Sequence, residues 1–192
     1  MDVTEAIETR RSVGRVKQEP VAPEDLERIL ESAVHAPNHR ITEPWRFHVF
    51  VGKGRGELAR VRAEIARRTA AEDGEDEELA KGRISRERKK AFRSPVVIAV
   101  VSVAGRDEVE TLENYAACCC AVQNMQLTAH ALGLASIWRT GPSAYHPLMR
   151  EFLGLERDGD TPVAFLYLGS PDLPVTRRRR RPVREFTVWH EG

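Results

Sequence analysis

The chain has 192 residues, 41% of them hydrophobic, enough for one domain to bury a core without metal or disulfide staples. Its 30 Lys plus Arg nearly cancel 29 Asp plus Glu, and a formal net charge of +1 excludes a global field that would gather nucleic acid or an anionic membrane. No window approaches the ~18 apolar residues of a spanning helix, and the opening MDVTEAIETRRS carries no apolar leader core, so a cytoplasmic protein is expected.

Asp2 with Glu5 three residues on is a capping signal, and Val3, Ala6 and Ile7 form the stripe of a first helix that ends at Arg10 and Arg11. Pro23 opens a second helix, with Leu26, Ile29, Leu30, Ala33 and Val34 at helical spacing until Ala36 and Pro37 stop it. A polar loop, Pro37 to Pro44, leads into WRFHVFV at 45–51, whose aromatic and β-branched alternation predicts a strand. Residues 57–71 have a helical pattern. Residues 72–90 pass from acidic to basic with almost no apolar anchor, predicting an exposed helix or a mobile cover. The continuous run Pro95 to Val103 reads as a central strand covered on both faces. Residues 112–132 form a long helix, apolar around most of its girth, that belongs in a domain centre or at a dimer seam, with Gly133 ending it. Further strands are predicted at 134–138, at 162–169 and, from VREFTVW, at 183–189. With no repeat and no linker, these strands share one sheet flanked by helices, an α+β or mixed α/β sandwich spanning 1–192 as a single domain.

Several groups could carry chemistry. Arg10, Arg11 and Ser12 at a helix exit match a phosphate dianion, although a basic triplet also arises wherever a helix ends. His35 and His39 flank the loop after the second helix, where solvent-facing imidazoles beside a helix C-terminus are the plainer reading. They lack the further ligands a zinc site needs, so no metal is expected. Trp138, Arg139 and Thr140 stand where a strand ends, the place at which a sheet offers loops to ligands; a core Trp anchor with a snorkelling Arg explains them equally well. Cys118, Cys119 and Cys120 are consecutive, so on a helix they point roughly 100° apart and cannot converge on one metal. They read as small buried fillers in a reducing compartment. Arg177 to Arg181 form a run of five arginines, read as a solvated tail, with a phosphate contact or a nucleic-acid patch as alternatives.

Taken in order, RRSV near the N-terminus, APNHRITEPWRFHVF, FRSPVVIAVV, AVQNMQLTAHALGLASIWRTG and the late FLYLGSP make the chain resemble the nitroreductase family, most nearly its compact YdjA-type branch. The resemblance covers almost the whole chain and is weakest over residues 57–88. It implies an α+β sandwich with a central mixed, mostly antiparallel sheet, built as an intertwined homodimer with FMN in two sites at the subunit interface. The segment 171–192 would extend over the partner. By the same resemblance, Arg10, Arg11 and Ser12 hold the phosphate and ribityl chain from one subunit, and His35 and His39 reach the flavin from the other. Trp138, Arg139 and Thr140 lie along the isoalloxazine, with the stretch Thr128 to Gly133 matched to the nicotinamide nucleotide.

The implied activity passes hydride from NAD(P)H through FMN to a small electrophile such as a nitroaromatic or quinone, in ping-pong half-reactions. The cofactor supplies the redox chemistry, so no protein catalytic residue is expected, with Arg139 a candidate for stabilising negative charge. Where many family members carry an Asn and a Gln before the Pro-Trp pair, this chain has Ile41 and Glu43, a departure that bears on acceptor choice. Two alternatives stay open: a non-enzymatic flavin- or nucleic-acid-binding protein, and a flavoenzyme of the same fold that dehalogenates or cleaves flavin. Nucleic-acid binding fits poorly, because the aromatics fall in core strands and the charge is balanced.

Overall fold

The structure is a computed structural model and describes residues 1–173 and 180–190. In chain order it contains α1 (Val3–Thr9), α2 (Pro23–Val34), a 3₁₀ turn (His39–Ile41), β1 (Trp45–Val51), α3 (Gly54–Glu72), α4 (Glu77–Lys90), β2 (Val96–Ser102), α5 (Glu108–Ala131), β3 (Ala135–Arg139), α6 (Pro142–Tyr145), α7 (Pro147–Phe152), β4 (Thr161–Gly169) and a second 3₁₀ turn (Val183–Glu185). The four strands form one sheet in the order β1-β2-β4-β3, and every ladder is antiparallel. The mixed sheet expected from sequence is reduced to one isolated parallel bridge, Ser12 to Ser136.

Strand β2 explains the layering. Val96, Ile98 and Val100 face a core shared with α2 and α5, while Val97, Ala99 and Val101 face a second core shared with α3, α6 and α7. Both faces are dry, so the strand has no polar phase and reads as one apolar run. Strand β4 repeats this with one fault: Val100 pairs with Ala164 but Val101 with Pro162, leaving Val163 as an extra residue. A proline has no N–H to give the ladder, so a bulge beside Pro162 is the arrangement the residue permits. In consequence Val163 and Ala164, neighbours in sequence, both enter the α5-side core.

Helix α5 starts where Asp107 accepts a hydrogen bond from Glu110 N at 2.8 Å. It ends where Gly133 takes φ 78° and Leu134 N donates to Ala129 O at 2.8 Å. The 72–90 stretch forms α4, which buries no residue and docks on α3 through Arg62 and Glu87, 2.7 Å apart. The predicted last strand is corrected: Val183–Glu185 is a 3₁₀ turn and 187–190 joins no ladder. Its apolar side chains are bare, with Trp189 79% and Val188 78% exposed. The cysteines are corrected in part. Cys118 is buried, and burial pushes its thiol up to about 12, but Cys119 is half-buried and Cys120 exposed, as a 100° step around the helix requires. Arg177 to Arg179 lie outside the described residues, whereas Arg180 and Arg181 lie within them.

Candidate active site

Strand β3 is an edge strand, and its free side is taken by the chain leaving α1. Ser12 bridges Ser136, Val13 N donates to Ser136 O at 3.0 Å, and Lys17 N donates to Ser170 O at 2.9 Å. This extended segment covers an edge that would otherwise expose unpaired backbone. It also sets Arg10 and Arg11 against the end of α5, where Thr9 Oγ1 and His130 Nε2 are 2.7 Å apart. Arg10, Arg11, His130, Gly133 and Ser136 line a cavity of about 230 Å³.

The donors of this cavity are not all used. Arg10 Nη1 and Arg11 Nε are buried without a partner among the described residues. Buried donors are rarely left so, because each forfeits hydration without a replacement. Arg11 Nη1 is satisfied differently, donating to Glu8 O at 2.6 Å and Arg10 O at 2.7 Å near the α1 C-terminus. Burial, then the positive charges of Arg11 and Arg180, draw the Arg10 pKa below its ordinary value. Burial and then Arg10 and Arg11 do the same to His130. These groups form a local positive field on a nearly neutral protein, one that an anion would relieve. Arg180 adds to that field, whereas Arg181 pairs with Glu185 at 3.6 Å.

Of the β3 residues, Trp138 is the core anchor. It packs against the α5-side core and its indole Nε1 donates to Val163 O at 2.9 Å, the carbonyl freed by the β4 bulge. Arg139 leaves by the other face and is exposed, as is Thr140. A Cβ at Gly14 would lie 3.0 Å from Arg139 Nη2, so the absence of a side chain there lets the guanidinium fold over the N-terminal segment.

The imidazoles stand apart. His35 caps the C-terminus of α2 and His39 opens the first 3₁₀ turn, both exposed. Their loop is fixed by Glu43 N donating to Asn38 Oδ1 at 3.0 Å and Thr42 Oγ1 donating to Asn114 Oδ1 at 2.8 Å. It is also strained: Arg40, Ile41 and Glu43 have φ of 53°, 56° and 44°. A β-branched residue in the left-handed region is an outlier, and such strain gathers at sites where a ligand or partner uses the shape. Asn114 and His130, which tether the two halves, are 16 residues apart on α5, about 24 Å at 1.5 Å per residue. One chain therefore sets Arg10 and Arg11 beside the start of β3, pairs Ser12 with Ser136 and lays Gly14 against Arg139, while the His39 loop is tethered to the other half of α5. Sequence reasoning did not single out His130 as a cavity residue, although it lies in the Thr128 to Gly133 stretch matched to the nicotinamide nucleotide. Its signal was a lone titratable group at the end of an apolar helix. Among the described residues no group of side chains could hold a metal ion, and no helix is long and apolar enough to cross a membrane.

An α+β sandwich with one four-stranded antiparallel sheet between helical layers is the fold of the nitroreductase-like oxidoreductases. The profile of the nitroreductase family matches residues 7–170, and the chain belongs to that family. It is 35% identical over 177 residues to the Escherichia coli K12 protein named "Putative NAD(P)H nitroreductase YdjA", covering 92% of each chain. A crystal structure of a nitroreductase-like family protein from Bacillus cereus superposes with a TM-score of 0.86 at 30% identity, over 100% of this chain and 97% of that one. The fold is also that of NfnB from sphigopyxis sp. strain HMH, described as an FMN and NADPH-dependent nitroreductase, with a TM-score of 0.73 at 22% identity over all of both chains.

Proposed function

We propose that this chain is an FMN-dependent oxidoreductase, acting as a homodimer, that takes hydride from NADH or NADPH and delivers it by a ping-pong route to a small electrophile such as a nitroaromatic or quinone. The observation that carries the reading is the pair of buried, unpartnered arginine nitrogens, Arg10 Nη1 and Arg11 Nε, beside a cavity at the β3 edge. A phosphate monoester supplies the acceptor oxygens those donors lack, so the residues present fit the anionic tail of FMN. The YdjA relative is named for NAD(P)H nitroreduction and the NfnB neighbour for FMN dependence.

FMN, when bound, supplies hydride acceptance from the nicotinamide and its return to the acceptor. The protein's work is binding and orientation. Arg10, Arg11 and Ser12 hold the phosphate end, while Trp138 holds the β3 terminus rigid through its bond to Val163. Arg139 and Thr140 are exposed at that terminus and can approach a bound ring, where the Arg139 guanidinium stabilises negative charge. His35 and His39 complete the pocket from the second subunit. The 24 Å that divides the two tethers within one chain supports this, since a twofold axis across α5 sets the histidine end of one copy over the arginine end of the other. Bare apolar residues on α5, Val109 and Leu112, and in the tail, Phe186 to Trp189, are surface for such a partner. The whole chain forms one domain, its described tail at 180–190 reaching across the partner, in a cytoplasm reducing enough to keep three free cysteines as thiols.

The test is direct. Purified protein should be yellow and dimeric, and should bleach anaerobically on adding NADH or NADPH and recolour with nitrofurazone or a quinone. Bound flavin that neither nicotinamide reduces would refute the activity, and a colourless protein that takes up no FMN would refute the site.

A further inference from the structure

On the opposite face of the sheet from the arginine-triplet cavity is a second, smaller one of about 100 Å³. Alternation along β3 separates the two: Ser136 faces α5, where Gln126 Nε2 donates to its hydroxyl at 3.4 Å, while Ile137 packs with the α3-side core. Around the second cavity stand Arg62 from α3, Lys90 from the end of α4, Arg93 from the turn after it, Arg139 and Thr140 from the end of β3, and Tyr167 from β4.

Four cationic side chains thus surround a space large enough for several waters. One carboxylate, Glu87, is close to them, and it is already engaged by Arg62 Nη2 at 2.7 Å and by Lys90 Nζ. Arg93 and Arg139 form no ion pair among the described residues. The Arg62 side chain is only 8% exposed, and its Nε is buried without a partner. Burial pushes the Tyr167 phenol up, and the charges of Arg62, Arg93 and Arg139 pull it back, so the three guanidinium groups act on one point. Like charges gathered around one buried guanidinium, that of Arg62, repel one another, an incoming anion relieves that repulsion, and planar guanidinium forks match the two oxygens of an oxyanion.

We infer that Arg62, Lys90, Arg93, Arg139, Thr140 and Tyr167 form a subsite for a single oxyanion group, a carboxylate, sulfate or phosphate, separate from the cavity assigned to the FMN phosphate. Its volume of about 100 Å³ admits one such group. The group arrives either as a free anion or as the charged end of an organic acceptor. Arg139, lying against Gly14 on one side and this cavity on the other, connects the subsite to the β3 terminus.

The experiment is a thermal-shift and calorimetric titration of the protein as purified, with sodium sulfate against sodium chloride at matched ionic strength, for wild type and Arg93→Gln. Arg93 is exposed and unpaired, so its replacement spares the fold, which circular dichroism checks. Expected is a saturable, sulfate-specific rise in Tm of about 5 °C at hundredfold excess over Kd in wild type, with Kd at least tenfold weaker in Arg93→Gln. Equal responses in the two proteins would place the sulfate at the Arg10 cavity or in general salting, and either overturns the subsite. A second arm titrates 4-nitrobenzoate and nitrobenzene. Sulfate-competitive binding of nitrobenzoate alone assigns the anion to the acceptor, and sulfate binding without such competition assigns it to a free ion. Both support the subsite, and because both are binding measurements they hold whether or not a nicotinamide reduces the protein.

Discussion

Arg10→Ala separates a binding role from a structural one, because its effects on the flavin-free and flavin-bound protein have opposite expected signs. In the free protein Arg10 Nη1 is buried and unpartnered, and the side chain feels Arg11 and Arg180. Truncation removes an unsatisfied donor and a repulsion, so the apoprotein keeps its Tm or gains slightly. On the proposed reading the same nitrogen donates to a phosphate oxygen in the complex, and a charge-assisted hydrogen bond of this kind contributes about 1.5–3 kcal/mol. At 1.4 kcal/mol per decade, FMN Kd should rise roughly 10- to 150-fold. The assay is flavin fluorescence quenching on deflavinated protein, alongside scanning calorimetry with and without FMN. Arg10→Lys, a point charge without the planar fork, should fall between the two. An unchanged FMN Kd would place the phosphate elsewhere. An apoprotein that loses about 1 kcal/mol or more would show Arg10 to be structural, and the orphaned nitrogen would then carry no functional meaning.

Three further outcomes follow from the same geometry. Trp138→Phe strands the bulge carbonyl of Val163 in the core, so calorimetry should find about 1–3 kcal/mol lost, at about 2–4 °C of Tm per kcal/mol; no change would mean that the carbonyl finds water. His130 has a folded pKa below its unfolded value, so the unfolded chain binds more protons between those two values and stability falls as pH drops from the ordinary imidazole range; His130→Gln should flatten that part of a Tm-against-pH profile, and an unaltered profile would show that another group titrates there. For the dimer, a remixed heterodimer of Arg10→Ala with His39→Ala has one pocket with both lesions and one with neither, so mixing two flavin-poor variants should restore binding towards one FMN per dimer. No recovery on mixing would place Arg10 and His39 around the same flavin from one chain, or around none.

Legibility from sequence divides according to whether a residue's role is local or depends on distant chain. Strand β2 was plain because both of its faces are covered, and α5 because Asp107 and Gly133 bound an apolar run. Helices α6 and α7, each begun by a proline, are too short to show periodicity and went unread. The tail at 183–189 alternates as a strand would, but alternation specifies faces and not a neighbour. Within one chain the β3 edge is already taken by Ser12, and a strand without a ladder partner does not form. That failure is informative about the site as well. Arg10 to Ser12 could be recognised as a motif, since three adjacent residues carry it, whereas the oxyanion cluster is drawn from positions 62, 90, 93, 139, 140 and 167 and has no sequence signature. His35 and His39 are a third case. Their residue types stand out in the sequence, yet the loop that holds them is tethered away from the arginines, so their meaning is set by whatever covers the strained loop from Arg40 to Glu43. The alternating tail without a ladder and the histidines without their arginines are the same kind of mismatch. Each is a local pattern whose complement lies on no described part of the chain, and the second copy proposed above would supply both.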